Sequence, residues 1–345
     1  MEGKLVTPNH SLHRTRPLAA LALTAAAALA LAGCSGQAPS AGGGDADALN
    51  IGIFVDNAFG DGDFFDQASL AEDTLVESFG ATVNTYEGQL EAQNFAPLLQ
   101  DAADRNDIVY VLGFEAIDAM VDAAEANPDT QFVFIDGEAG SPEITSAVFR
   151  TQEGCFMAGA LAATVNAAAG ASTAGFIGGV NAPVVENCES GYTQGVAQVA
   201  ADQSVASQYV GSFVDPGKGA EIATTLASTR GAYAMFAYAG LSGSGVFDAA
   251  KAGAQVAPIG VVADKSALAP GSVPGSLIMR VDSVIVDLTE QYVDGTLERG
   301  AVLDFGFAED GWAMAYDEAL VDSEGISALE ELQEAIVAGD VQINE

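Results

Sequence analysis

From Leu49 onward, short continuous apolar runs alternate with longer stretches in which apolar residues recur at three- and four-residue spacing. The continuous runs read as strands buried on both faces and the spaced stretches as amphipathic helices, the pattern of repeated βα units on parallel sheets. The strand-like runs cover residues 49–55, 81–87, 107–113, 131–136, 172–179, 207–213, 232–240 and 255–262. Helical spacing fills 63–79, 91–105, 115–126, 153–168, 189–201, 217–230 and 245–252, and Glu115, Glu153 and Glu189 stand in first turns, where a carboxylate faces the positive end of the helix dipole.

The eight runs fall into two groups of four, divided by residues 138–145 with Gly140 and Pro142 among them. Two doubly wound α/β domains are the natural reading; an eight-stranded barrel is the alternative, disfavoured by short strand-to-strand spacing and a further crossing at 276–282. Doubly wound sheets bind ligands beyond the carboxyl ends of their strands. That rule singles out Asp56 and Asn57, Phe114 and Glu115, residues 136–138, 181–188 and 240–245, and Asp264. Acids, aromatics and glycines in those places suit a small polar ring-bearing molecule.

The first 33 residues stand apart. Lys4, Arg14 and Arg16 precede an apolar run from Leu18 to Ala32 that is shorter than the roughly 20 residues of a membrane-spanning helix, so the segment reads as an export signal. It ends in Leu31-Ala32-Gly33-Cys34, which resembles a bacterial lipobox and implies lipid attachment to Cys34; a plain secretory signal is the alternative. Residues 34–48, rich in Gly, Ser, Ala and Asp, read as a flexible tether.

Charge narrows the chemistry further. The 345 residues hold 11 Lys+Arg against 48 Asp+Glu, which excludes a basic nucleic-acid binder. Removing the signal takes both histidines, His10 and His13, and leaves 8 Lys+Arg against 47 Asp+Glu. Without histidine, neither a Ser-His-Asp or Cys-His arrangement nor a His-ligated zinc is available. The acid-rich stretch 56–67 lacks the ligand spacing of a calcium loop, and Gly217-Lys218 lacks the Ser or Thr of a phosphate-binding loop. No metal, cofactor or catalytic residue is expected. The Gly240–Gly245 segment can offer backbone N–H groups to a ligand. Cys155 and Cys188 are either a disulfide or two buried thiols. Phe64 and Phe65 diverge by about 100° on a helix, so only one can face a cleft.

Seven ordered segments carry a family resemblance: FVDNAFGDGDFFDQ (54–67), EANPDTQFVFIDG (125–137), FRTQEGCFMAGALAA (149–163), GFIGGVNAPVVENCESGYTQG (175–195), YVGSFVDPGKGAEIA (209–223), SGSGVFDAAKAG (242–253) and MRVD (279–282). They resemble the basic membrane protein (BMP) lipoproteins, which look like purine nucleoside receptors of ABC importers. The resemblance implies a type I periplasmic binding protein fold, two Rossmann-like lobes joined by three crossovers near 149–151, 280–282 and 301–305. The N-terminal lobe would then comprise 49–149 plus 282–302, and the C-terminal lobe 150–281 plus 303–345.

It further implies a monomeric, extracytoplasmic, lipid-anchored protein that closes on a small ligand and presents it to an ABC permease, rather than an enzyme; a surface sensor on the same fold is the alternative. Carried over residue by residue, the leading aspartate matches Asp56, the stacking phenylalanine Phe65 and the base-contacting aspartate Asp136. An asparagine of the family is replaced by Asp66, and the opposing aromatic aligns with Cys188. The family's ribose-contacting Asp and Lys are Val262 and Met279 here, with Asp264 or Arg280 as the groups able to compensate.

Overall fold

The computed structural model describes residues 48–344. The export signal, Cys34 and nearly all of the tether lie outside them. Five strands come first: β1 (Asn50–Val55), β2 (Thr82–Glu87), β3 (Ile108–Leu112), β4 (Gln131–Ile135) and β5 (Ile144–Phe149). Five more follow: β6 (Thr173–Gly178), β7 (Ser204–Tyr209), β8 (Ala232–Tyr238), β9 (Ala257–Val262) and β10 (Gly275–Met279), and then β11 (Val302–Phe305) and β12 (Trp312–Tyr316). The helices are α1 (Phe64–Ser69), α2 (Ala71–Phe79), α3 (Ala92–Arg105), α4 (Ile117–Ala126), α5 (Thr151–Ala169), α6 (Pro183–Val199), α7 (Pro216–Arg230), α8 (Ser244–Lys251), α9 (Val281–Val293) and α10 (Ser323–Val337).

The strands form two six-stranded sheets, ordered β11-β5-β4-β3-β1-β2 and β12-β10-β9-β8-β6-β7. The orders are the same under the pairing β1 with β6 through β5 with β10, so the two lobes are internal repeats. They differ at one edge, where β11 runs parallel to β5 and β12 antiparallel to β10. Strands β1, β3 and β4 are almost wholly buried because helices cover both faces, whereas the edge strand β2 is largely open on one side.

Among the described residues twelve strands replace the eight expected. Polar residues interrupt the apolar runs of β5 and β11, the first two residues of β5 lie in the dividing stretch 138–145, and β12 is a short, partly exposed edge strand. The helix expected over 63–79 is two, meeting at Leu70. The helix expected to begin at Glu189 begins at Pro183, because proline at a first helical position has its φ preset and gives up an N–H that would go unpaired anyway. The chain crosses between sheets after β5, after β10 and after β11. All four residues of β11 pair with β5, so the last crossing falls beyond Phe305 and not at Leu303.

Two arginines join these crossings. Arg150, at the first, pairs with Glu153 at 2.8 Å and with Glu309, on the third. Arg280, at the second, pairs with Asp282 at 3.1 Å and Asp310 at 3.4 Å, while Ser283 Oγ donates to Asp310 at 2.7 Å. Because both side chains are partly shielded, these contacts are worth more than exposed ion pairs.

Helix α5 is buried around most of its circumference, packed between its sheet and α6. Glycines allow the approach: a Cβ on Gly159 would sit 2.0 Å from the Tyr192 carbonyl oxygen, and one on Gly195 1.9 Å from that of Phe156. Among the described residues no helix is long and apolar enough to cross a membrane.

Candidate ligand-binding cleft

β1 delivers Asp56 to the carboxyl edge of the first sheet, 2 % exposed. Its carboxyl group lies over Gly113, where a Cβ would fall 1.9 Å from Asp56 Cγ and where φ is +110°, so glycine is required on both counts. Burial first, then the hydrogen bond to and the charge of Glu115, push Asp56 up to about 7. Glu115, held low by that same hydrogen bond, is the charged member of the pair. Asp56 is therefore a proton-bearing group near neutral pH, able to donate as well as accept.

β4 delivers Asp136 to the same edge in a left-handed conformation, φ +71°. The residue is half-buried, and burial pushes its carboxyl group up to about 7. No described hydrogen-bond donor reaches it, so its carboxyl group has free valence. Across from it, at the end of β8, stands Tyr238. Its phenol is pushed above its ordinary pKa by burial and by the nearby charges of Asp136 and Asp63. Tyr238 was hidden by the sequence pattern, because it falls inside the run 232–240 and reads as core.

The remaining expected residues divide between cleft and scaffold. Phe65 is half-buried and meets Phe64 edge-on, centroids 5.5 Å apart. Phe114 is 58 % exposed, its ring edge against Phe134 at 5.7 Å. Asp66 turns inward on its own loop, accepting from the Gly60 and Gly62 N–H groups at 2.6 and 2.8 Å, so its carboxylate shapes the loop before α1. Asp264 is exposed and accepts from Ser266 N and Oγ at 2.9 and 3.1 Å. Cys188 is fully buried and bonded to Cys155, with Cα atoms 5.1 Å apart. That resolves the open cysteine question as a disulfide and makes Cys188 a staple between α5 and α6 instead of a cleft wall.

Lys265 was not anticipated. Its ammonium group, mostly buried, donates to the Gly62 carbonyl at 3.0 Å and faces Asp63 at 3.4 Å, so it ties the second lobe to the loop before α1 of the first. Burial pushes Asp63 up to about 6, with Lys265 pulling the other way. Beneath this tie lies a cavity of about 240 Å³, walled by the Gly240 turn and β9 and roofed by residues 61–63. No cluster of metal-ligating side chains occurs among the described residues.

Two sheets of matched order, three crossings and an interlobe cleft at the carboxyl edges define a two-lobed solute-binding protein. Among solved structures, a solute-binding protein of an ABC transporter system from Aeropyrum pernix K1 superposes with a TM-score of 0.70 at 23 % identity, covering 85 % of this chain and 92 % of that one. Another from Conexibacter woesei DSM 14684 gives 0.72 at 22 %, covering 86 % and 99 %.

The chain belongs to the family described as "ABC transporter substrate-binding protein PnrA-like", whose pattern matches residues 48–345. Basic membrane protein D of Borreliella burgdorferi (strain JD1) is 32 % identical over 287 residues, 80 % of this chain and 82 % of that protein. The ABC transporter nucleoside-binding protein BmpA of Lactococcus lactis subsp. cremoris (strain MG1363) is 30 % identical over 253 residues, 68 % and 70 %. The BMP resemblance and the α/β two-lobed fold read from the sequence are thus both upheld.

Proposed function

We propose that this protein is the lipid-anchored, extracytoplasmic binding component of an ABC importer, and that it holds a nucleoside, nucleobase or related heteroaromatic solute between its lobes. The observation that carries this reading is that Asp56 and Asp136 stand at the carboxyl ends of adjacent-but-one strands of one sheet, both raised to about 7, with the half-buried ring of Phe65 in α1, the helix that follows β1. A planar ring with N–H donors and ring-nitrogen acceptors satisfies both acids and stacks on the phenylalanine. The nucleoside-binding BmpA relative supports the same ligand class. Asp56, Phe65, Asp136, Tyr238 and the Gly240 turn form the site, and Cys34 is the anchor.

A thermal-shift panel of purified protein against purine and pyrimidine bases, their nucleosides, flavins and monosaccharides tests the reading, since a ligand that binds only the folded state raises its melting temperature. Stabilisation by at least one heteroaromatic and by no monosaccharide is expected; stabilisation by monosaccharides alone contradicts it.

A further inference from the structure

Trp312 is the sole tryptophan of the chain, and it stands where the three crossings meet. It opens β12 directly after the third crossing, and its backbone pairs with Met279, the residue that precedes the second. The Arg280 N–H donates to the carbonyl of the adjoining Gly311 at 2.9 Å. Its ring lies edge-on to Phe149, the residue that precedes the first crossing, with centroids 5.5 Å apart and planes at 72°. Just past that crossing it covers Gly154 of α5, where a Cβ would fall 2.8 Å from indole Cδ2. Helix interiors disfavour glycine, and the close approach of the ring is what calls for one here. Any turning of one lobe against the other therefore shears the contacts of this one ring.

Trp312 is 2 % exposed, yet its indole N–H has no acceptor among the described residues. Buried polar groups are nearly always hydrogen-bonded, and a buried tryptophan usually finds a partner for its N–H. A donor stranded in this way has given up water for nothing, a cost that phenylalanine in the same place would avoid. The conformation that strands it has the lobes in touch across the cleft mouth, where the Lys265 ammonium group donates to the Gly62 carbonyl at 3.0 Å.

We infer that Trp312 is the bearing on which the lobes turn, a positioning residue for ligand capture whose indole N–H is stranded while the lobes touch and meets an oxygen acceptor when they part. The stranded donor weights the balance towards separated lobes, and a ligand that closes them works against it.

Because no second tryptophan competes, tryptophan fluorescence reads this one place, and small-angle X-ray scattering of the same ligand-free samples reads the separation of the lobes as a radius of gyration. Lys265→Met removes the contact across the cleft mouth. Its radius of gyration should exceed that of the wild-type protein, and its emission maximum should move to longer wavelength, the direction in which an indole shifts when its N–H gains an acceptor. Trp312→Phe removes the donor and keeps an aromatic ring against Phe149, so its radius of gyration should fall below the wild-type value. An emission maximum that stays in place in Lys265→Met overturns the inference, as does a red shift without an increase in radius. A radius of gyration in folded Trp312→Phe equal to or above the wild-type value overturns it equally; should that variant fail to fold, Lys265→Met decides alone. Neither readout needs a ligand, so the outcome is separate from the proposed ligand class.

Discussion

The disulfide offers the prediction whose size follows most directly from the structure. Cys155 and Cys188 are 33 positions apart, so the bond closes a loop of that length in the unfolded chain. The loop-entropy relation then gives about 3.7 kcal/mol of stabilisation at 25 °C. Reduction should not unfold the protein, because the glycine-mediated contact of α5 with α6 and the burial of α5 against its sheet remain. With an unfolding entropy of about 2.1 cal/mol/K per residue over some 300 residues, the loss corresponds to a fall of about 6 °C in melting temperature. The assay is thermal and urea unfolding with and without reductant, followed by thiol counting in the unreduced, unfolded protein. A shift under 1 °C, or free thiols at both positions, refutes the reasoning. A fall above about 15 °C would mean that the staple, and not the helix packing, holds the second lobe together.

Other expectations follow from the cleft. Phe65→Ala and Asp136→Ala should each weaken ligand binding tenfold or more by titration calorimetry, because a stacked ring and a charged hydrogen bond are each worth roughly 1–3 kcal/mol. Unchanged affinity in both would remove the cleft as the site. Lys265→Met removes the tie to Gly62 and Asp63; affinity should fall severalfold while the free protein keeps its melting temperature within about 2 °C, as calorimetry and thermal unfolding will show.

Two carboxyl groups raised to about 7 make stability depend on pH in a definite direction. The folded state keeps protons that the unfolded chain releases above about pH 4, so this contribution is complete below pH 4 and is lost as pH rises towards 7. Relative to Asp136→Asn, whose amide is neutral throughout, the wild-type protein should therefore lose stability across pH 4–7. A ligand donating N–H groups to the carboxylate reverses the shift, so binding near pH 6.5 should release protons, read as a dependence of the heat on the buffer's ionisation enthalpy. Proton uptake would contradict it.

Much of the fold was legible because parallel strands buried on both faces leave continuous apolar runs, as IVYVL of β3 and QFVFI of β4 do. The residues just past those runs then located Asp56 and Asp136. The edge strands β11 and β12 carry no such mark. VLDF of β11 and WAMAY of β12 are short and half-exposed, and their assignment to opposite lobes depends on partners far along the chain. Tyr238 and Lys265 were missed for a related reason: each matters through what it meets across the cleft, a relation that periodicity along one strand does not carry. The fate of Cys188 turned on where α6 starts, and Pro183 was the available signal.

In the proposed function a ring-bearing solute sits between the lobes against Asp56 and Asp136. The decisive measurement is a crystal structure of the protein grown with whichever base or nucleoside most raises its melting temperature. The ring is expected in the cleft, stacked on Phe65, with a ring N–H within about 3.2 Å of the Asp136 carboxylate. A ligand bound elsewhere, or one lying in the cleft without touching either acid, would contradict it.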